Sequence, residues 1–174
     1  EAALEVIHES QQIHGGRGVI VGYEIEALGR AARPTTIYEG ASEVQRTIIG
    51  RAEAKRARAG KSRGPDNLPD SPTGNLLREA RATYEAWLDE AIKGPADEPA
   101  FQMRLAESAM ALEAAETVSD GDERDYLALA AARTMLGDIH RTGVAVPTAA
   151  LDKAMSACPL SEDALALRIA GDML

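Results

Sequence analysis

Cysteine is nearly missing from this 174-residue sequence: Cys158 is the single one. No intrachain disulfide framework can form. One isolated thiol reads as a small buried or half-buried side chain rather than a nucleophile. Aromatic residues make up only 3%, so a core has to be built from Ala, Leu, Ile, Val and Met, a palette that favours helix over sheet. No run approaches the ~20 apolar residues needed to cross a bilayer, and no secretory signal opens the chain. A cytoplasmic protein is the default expectation; an organelle-matrix protein shorn of its presequence would read the same. HExxH, CxxC and a glycine-rich loop ending in Lys-Ser/Thr are all absent, so no metal site or P-loop is expected.

What is present is charged and helical. The apolar fraction of 45% is ordinary. The net charge of −9 is unevenly spread: residues 1–61 hold 9 basic and 8 acidic side chains, whereas residues 62–174 hold 10 and 20. An acidic tail repels phosphates and argues against nucleic-acid binding. Glu1 opens the chain in helix-like sequence without a methionine, the pattern expected of a fragment, a processed product or an incomplete gene model.

Leu4, Ile7 and Gln11 share a face in residues 1–13, predicting a helix that Gly15, Gly16 and Gly18 interrupt. A short helix is expected from Glu24 to Ala31, ended by Pro34. Ser42 and Gln45 form a capping-box pattern, followed by an apolar stripe of Val44, Ile48, Ile49 and Ala52. The basic run from Arg51 to Arg63 can be read as a phosphate or anionic-lipid site, or as a solvated helix end suited to the dipole. A Pro/Gly-rich linker follows.

Beyond it, Leu77, Ala80, Tyr84, Leu88 and Ala91 recur at helical steps, as do Phe101, Leu105, Ser108, Leu112 and Ala115. Leu127, Ala131, Met135 and Ile139 mark a third helix, Pro147 to Ala157 a fourth, and Ser161 to Leu174 a fifth. The expectation is an all-α chain: residues 1–60, a linker at 61–74, and an acidic helical bundle at 75–174. His140 stands alone near a helix end, where an imidazolium suits the dipole.

The candidate chemistry lies between Gln11 and Arg51. This stretch reads QQIHGGRG, then, after an interval, RAARPTTIYEGASEVQRTIIGR. It resembles the end of the acyl-CoA dehydrogenase family, which carries Q-x-H-G-G-x-G and later R-D-x-x-x-x-x-I-Y-E-G-T-S-E-I-Q-R. Gln12, His14, Gly15, Gly16 and Gly18 match the first element. Arg30, Ile37, Tyr38, Glu39, Gly40, Ser42, Glu43, Gln45 and Arg46 match the second, with the interval unchanged. The resemblance covers roughly residues 1–56. It implies that an N-terminal helical domain, a β-domain and most of a helical bundle belong upstream.

The resemblance also implies a reaction: FAD-dependent removal of two hydrogens from an acyl-CoA, giving the trans-2-enoyl-CoA. Glu39 would be the base for the α-proton. Such a base works only where the site favours its protonated form and stabilises the enolate. Gly40 would let the thioester approach the backbone. The other reading of Glu39 is a helix N-terminal residue favoured by the dipole. Gln12, Gly15 and Gly16 would bind FAD, in the family often the one held by a neighbouring subunit; Ala41, Ser42 and Glu43 would lie against FAD as well. The glycines can equally make a tight turn between helices, and His14 reads as a packing or hydrogen-bonding residue.

An electron-transfer flavoprotein as acceptor and a homo-oligomer follow from the same resemblance; contact with a membrane surface has no support in the sequence. Three departures stand out. Ala41 replaces a threonine, Ala31 stands where an aspartate would partner Arg30, and Arg17 and Val19 replace residues that are usually aromatic. In placement only, the acidic tail is similar to the extra helical domain of very-long-chain members. Two rival functions remain: an acyl-CoA oxidase with the same base, and a non-catalytic interaction module.

Overall fold

The computed structural model describes residues 2–64, 68–118 and 122–158. These residues form seven α-helices and no strand. The helices are α1 (Ala2–His14), α2 (Glu24–Ala32), α3 (Ser42–Arg58), α4 (Pro72–Ala91), α5 (Pro99–Thr117), α6 (Asp122–Thr142) and α7 (Ala149–Ser156). The all-α expectation holds. The helix expected from Ser161 to Leu174 lies outside the described residues. Helix α4 begins three residues inside the expected linker: Pro72 takes the first turn, where its missing N–H is not needed, and the Ser71 hydroxyl accepts from the Gly74 amide at 3.0 Å. No described helix is long and apolar enough to cross a membrane.

Packing divides the chain into two compact units, residues 1–45 and 46–174. The division falls inside α3, after its first turn, whereas composition changes at the proline-rich segment further on. In the first unit α1 packs against α2. The Gln11 side chain joins them to the 3-10 turn at Gly15–Val19, donating to the Gly18 carbonyl at 3.1 Å. Among the described residues of this unit only Gly18 is buried. Ile13, Val19 and Val21 are 85%, 72% and 80% exposed, so the unit has almost no core of its own.

The second unit has a full core. The faces read from α4 and α5 are buried as expected: Leu77, Ala80, Tyr84, Leu88 and Ala91 on one, Phe101, Leu105, Ser108, Leu112 and Ala115 on the other. On α6, Ala131, Met135 and Ile139 are buried and Leu127 is half-buried. Trp87 sits between Tyr84 and Phe101, with ring centroids 6.2 and 5.4 Å away. Three of the few aromatics therefore share one cluster, where each ring buries a large area. Cys158 is half-buried against this core, as its isolation suggested.

Helix α3 departs from the expected pattern. Its apolar stripe faces out, with Val44 and Ile48 both 52% exposed. Its buried side is Gly50, Glu53 and Ala54. Gly50 lies against α5 so closely that an added Cβ would stand 2.0 Å from the Gln102 carbonyl oxygen. Only a residue without a side chain permits that approach.

Part of the basic run is paired within the protein. Arg58 meets Asp97 at 2.8 Å and Arg63 meets Glu113 at 2.9 Å. Arg56 is held by Glu53 at 2.9 Å and Glu85 at 2.8 Å. Arg46, before the run, meets Glu107 at 3.4 Å. These arginines complement carboxylates of the acidic bundle. The exposed pairs contribute about 0–1 kcal/mol each. Arg56 is more enclosed, and although burial opposes its charge, the carboxylates of Glu85 and Glu53 hold its pKa above the usual value.

The contact at Gly50 has an opposite in α6, where a Cβ on Gly137 would meet only the flexible end of Arg141 at 3.6 Å. Gly137→Ala is expected to raise the unfolding free energy by about 0.5–1 kcal/mol through helix propensity. Gly50→Ala should lower it by about 1–3 kcal/mol, because two backbones must part. Urea unfolding of the two variants decides the sign at each site.

The buried Tyr84 hydroxyl donates to Glu53 Oε2 and the Leu105 carbonyl, both at 3.3 Å. Burial, and then the Glu53 charge, hold its pKa well above the ordinary 10.0. The folded chain thus favours the neutral phenol. That contribution is complete below pH 10 and is lost as pH rises through the folded-state pKa. Between pH 9 and pH 11, Tm should fall more steeply for the wild type than for Tyr84→Phe.

Candidate functional site

Residues 37–45 hold the densest set of candidate side chains. A 3-10 turn at Arg33–Thr36 delivers the chain to Ile37 and Tyr38. Glu39 then adopts φ +58°, the one non-glycine residue with positive φ among those described. Such a backbone is strained for a side chain with a Cβ. Gly40 follows at φ +109°, a conformation that glycine supplies without penalty.

The chain enters α3 directly afterwards. The first intrahelical bond runs from the Gln45 amide to the Ala41 carbonyl at 3.0 Å. Ala41 thus takes the cap position expected of Ser42. Nor does the Gln45 side chain reach back to Ser42: its Nε2 donates to the Glu39 carbonyl at 2.7 Å.

Glu39 is exposed, and its carboxylate makes no hydrogen bond or ion pair among the described residues. Residues before and after it in the chain line two concavities, with Arg33 and Ile37 common to both. One, of about 420 Å³, is lined by Arg30, Arg33, Pro34, Ile37 and Tyr38. The other, of about 460 Å³, is lined by Leu4, Glu5, His8 and Arg33 together with Thr36, Ile37, Ala41, Ser42 and Glu43. The first carries aliphatic and ring carbon with guanidinium groups at its edge. The second is polar at the start of α3, where first-turn amides lack intrahelical acceptors.

The expected cofactor residues fall in two places. Ala41, Ser42 and Glu43 line the second concavity. Gln12, Gly15 and Gly16 are exposed at the far end of α1, roughly 15 Å along the helix from Glu5 by its rise per residue. Gly15 has φ +56°, and a Cβ on either glycine would meet nothing within 4 Å. Packing inside the chain therefore does not account for Gly16. These glycines follow the C-terminal end of α1, so the helix dipole offers no attraction to a phosphate there. The start of α3 is the better polar cradle, with Glu5, His8, Arg33 and Glu43 among its lining. The two patches fit separate parts of an extended cofactor better than one compact group.

Several side chains escaped the sequence reading. Gln11, not Gln12, organises the glycine turn: its backbone crowds Gly18, and its amide lies 2.6 Å from where a Cβ of Gly29 would be. Arg30 is not deprived by Ala31: it pairs with Glu26 one turn earlier, Nε to Oε1 at 3.0 Å and Nη2 to Oε2 at 3.3 Å. The Glu26 hydrogen bond and charge raise its pKa. Leu4, Glu5 and His8 reach the site across a gap of about thirty residues that no spacing rule signals. The ring of His14 bonds to the Ser10 carbonyl at 2.8 Å, which gives it the hydrogen-bonding role expected. His140 is exposed at the end of α6.

Comparisons with known proteins bear on the same segment. Residues 1–54 match the family described as acyl-CoA dehydrogenase, C-terminal domain. A 3-(aryl)acrylate reductase of Clostridium sporogenes is 49% identical over 49 residues, 28% of this chain and 13% of that protein. An acyl-CoA dehydrogenase of Bacillus subtilis is 43% identical over 51 residues, 29% of this chain and 14% of that protein. The matches thus span about one-seventh of either relative's length. In structure, 97% of this chain superposes on 31% of an acyl-CoA dehydrogenase complexed with FAD from Bacillus anthracis, with a TM-score of 0.53 and 20% identity. At that identity the likeness concerns the helical fold alone. Residues 1–54 are accordingly similar to the acyl-CoA dehydrogenase C-terminal domain family.

Proposed function

We propose that this chain is the C-terminal portion of an FAD-dependent acyl-CoA dehydrogenase. Residues 1–60 complete the helical domain of the enzyme, residues 61–74 are the linker, and residues 75–174 form an appended bundle. The observation that carries the reading is Glu39, an exposed carboxylate on a strained backbone, flanked in the chain by residues that line two concavities. In the proposed reaction its carboxylate takes the α-proton of the acyl thioester, the β-hydrogen leaves as hydride, and the α–β double bond forms. FAD, when bound, supplies the acceptor for that hydride. Gly40 leaves room for the thioester, and Ala41, Ser42 and Glu43 hold neutral polar groups of the cofactor. Gln12, Gly15 and Gly16 serve a second stretch of FAD, that of a neighbouring subunit in a homo-oligomer.

The exposed apolar residues of the first unit support this division of labour. Ile13, Val19, Val21, Ile37 and Tyr38 are all at least 58% exposed, apolar area that burial against the rest of an enzyme would remove from water. Most of the length of the relatives has no counterpart in this chain. The remaining enzyme would cover this surface and exclude water from Glu39, which a carboxylate needs in order to deprotonate carbon. An electron-transfer flavoprotein is the proposed acceptor. A second reading, reduction of an α,β-unsaturated acyl compound, is favoured by the name of the Clostridium relative, an (aryl)acrylate reductase. Glu39 would then return the proton to the α-carbon.

In the intact enzyme, Glu39→Gln should lower kcat by about 10²–10⁴-fold with FAD content unchanged. Unchanged turnover would leave only the interaction-module reading. The direction of electron flow, measured with reduced and oxidised acceptors, separates dehydrogenase from reductase. Peroxide formed without an added acceptor would identify an oxidase. The 174 residues alone are expected to show no acyl-CoA oxidation, and stoichiometric FAD binding with turnover by this chain would refute the division proposed here.

A further inference from the structure

We propose that Gln45 is a positioning residue for Glu39, holding the glutamate in the left-handed backbone conformation from which it acts. The inference rests on the base role assigned above. Three observations converge on it. Glu39 is the one non-glycine residue at positive φ among those described, and nothing intrinsic to glutamate favours that state. The Gln45 Nε2 amide donates to the Glu39 carbonyl at 2.7 Å across six residues. The same Nε2 lies 2.7 Å from the point a Cβ of Gly40 would occupy, so the glycine makes room for the clasp as well as supplying its own φ of +109°.

A strained residue persists only where its surroundings over-determine it. Here the determinants are few and can be named. The Glu39 carbonyl is tied from the first turn of α3 by the Gln45 side chain. The Gln45 backbone amide is tied in turn to Ala41 at 3.0 Å. The seven-residue segment from Glu39 to Gln45 is thereby tied twice through Gln45, by its side chain to Glu39 and by its backbone amide to Ala41. Without the side-chain amide, Glu39 is free to relax to negative φ. That relaxation swings the Cα–Cβ bond, and with it the carboxylate, away from the thioester. The clasp acts on the base through its backbone and touches neither the carboxylate nor the acyl group.

Gln45→Met keeps the length of the side chain and removes the donor. In the intact holoenzyme it should lower kcat by about 10–100-fold, the scale of a misplaced reacting group. KM for acyl-CoA, FAD content and Tm should stay near wild type, and the α-deuterium isotope effect on kcat should rise as proton removal becomes limiting. Gln45→Glu, isosteric but without the donor, should behave alike. A merely structural role would move FAD content, Tm or KM instead, and that result overturns the assignment, as does failure of both variants to assemble. Glu39→Gln measured in parallel keeps the two ideas apart. Turnover retained in Glu39→Gln removes the base role and the Gln45 role together. An inactive Glu39→Gln beside a Gln45→Met within twofold of wild-type kcat removes only the latter.

Discussion

A guanidinium taken out of water has to be met by hydrogen-bond acceptors, and among the described residues of the second unit Arg56 and Arg81 are met by carboxylates. Arg56 lies between Glu53 and Glu85. Arg81, with a side chain 2% exposed, forms a two-point pair with Glu116, Nε to Oε1 at 2.9 Å and Nη2 to Oε2 at 2.5 Å. Burial works against the charge of Arg81, but the hydrogen bonds and charges of Glu116, with Glu113 and Glu85 adding to them, keep its pKa above the usual value. Such pairs add little net stability compared with apolar packing of equal volume, yet losing one partner strands a buried charge. They therefore fix which helix faces meet. The excess of acid in residues 62–174 is in part the complement of the basic residues on and just after α3.

The two units solve the problem of burial differently. The second encloses Trp87, Tyr84, Met135 and a set of leucines completely. The first encloses one glycine among its described residues and leaves valines, isoleucines and two tyrosines in water. A segment of that length cannot offset its chain entropy with so little buried surface. The family match, which stops at residue 54, covers all of this unit and only the start of the next.

Much of the bundle was legible in advance because one physical signal governs it. A residue every three or four positions must be apolar to line a helical core, and on α4 and α5 every residue so chosen is buried. The same rule failed on α3. There the buried face is Gly50, Glu53 and Ala54, small or charged, while the obvious apolar stripe is exposed. Hydropathy sees only apolar burial. It cannot register a close approach permitted by glycine, nor a carboxylate drawn inside by Arg56. Buried Arg81 and Asp138 were missed for that reason, since their partners Glu116 and Arg104 lie on other helices. At the candidate site, motif spacing located Glu39 and Gly40 but not the turn they make. Gln45 was read as a capping partner of Ser42 because the spacing fits a capping box. The positive φ of Glu39 draws that amide to a different carbonyl.

The turn at Glu39 and Gly40 links residues of the two concavities. Tyr38 lines the first and Ala41 the second, while Arg33 and Ile37 line both. A chain in extended or right-handed helical geometry would advance steadily between those points. Two successive residues at positive φ, +58° and +109°, instead fold it back sharply. Gly40 makes its half of the bend without penalty, whereas Glu39 makes the other half at a cost of order 1–3 kcal/mol. Glycine at position 39 would remove that cost and the carboxylate with it. Strain retained where a cheaper residue would serve the backbone equally well points to the side chain as the reason for keeping it. In this chain that side chain is an exposed acid with no partner among the described residues, placed where α3 begins.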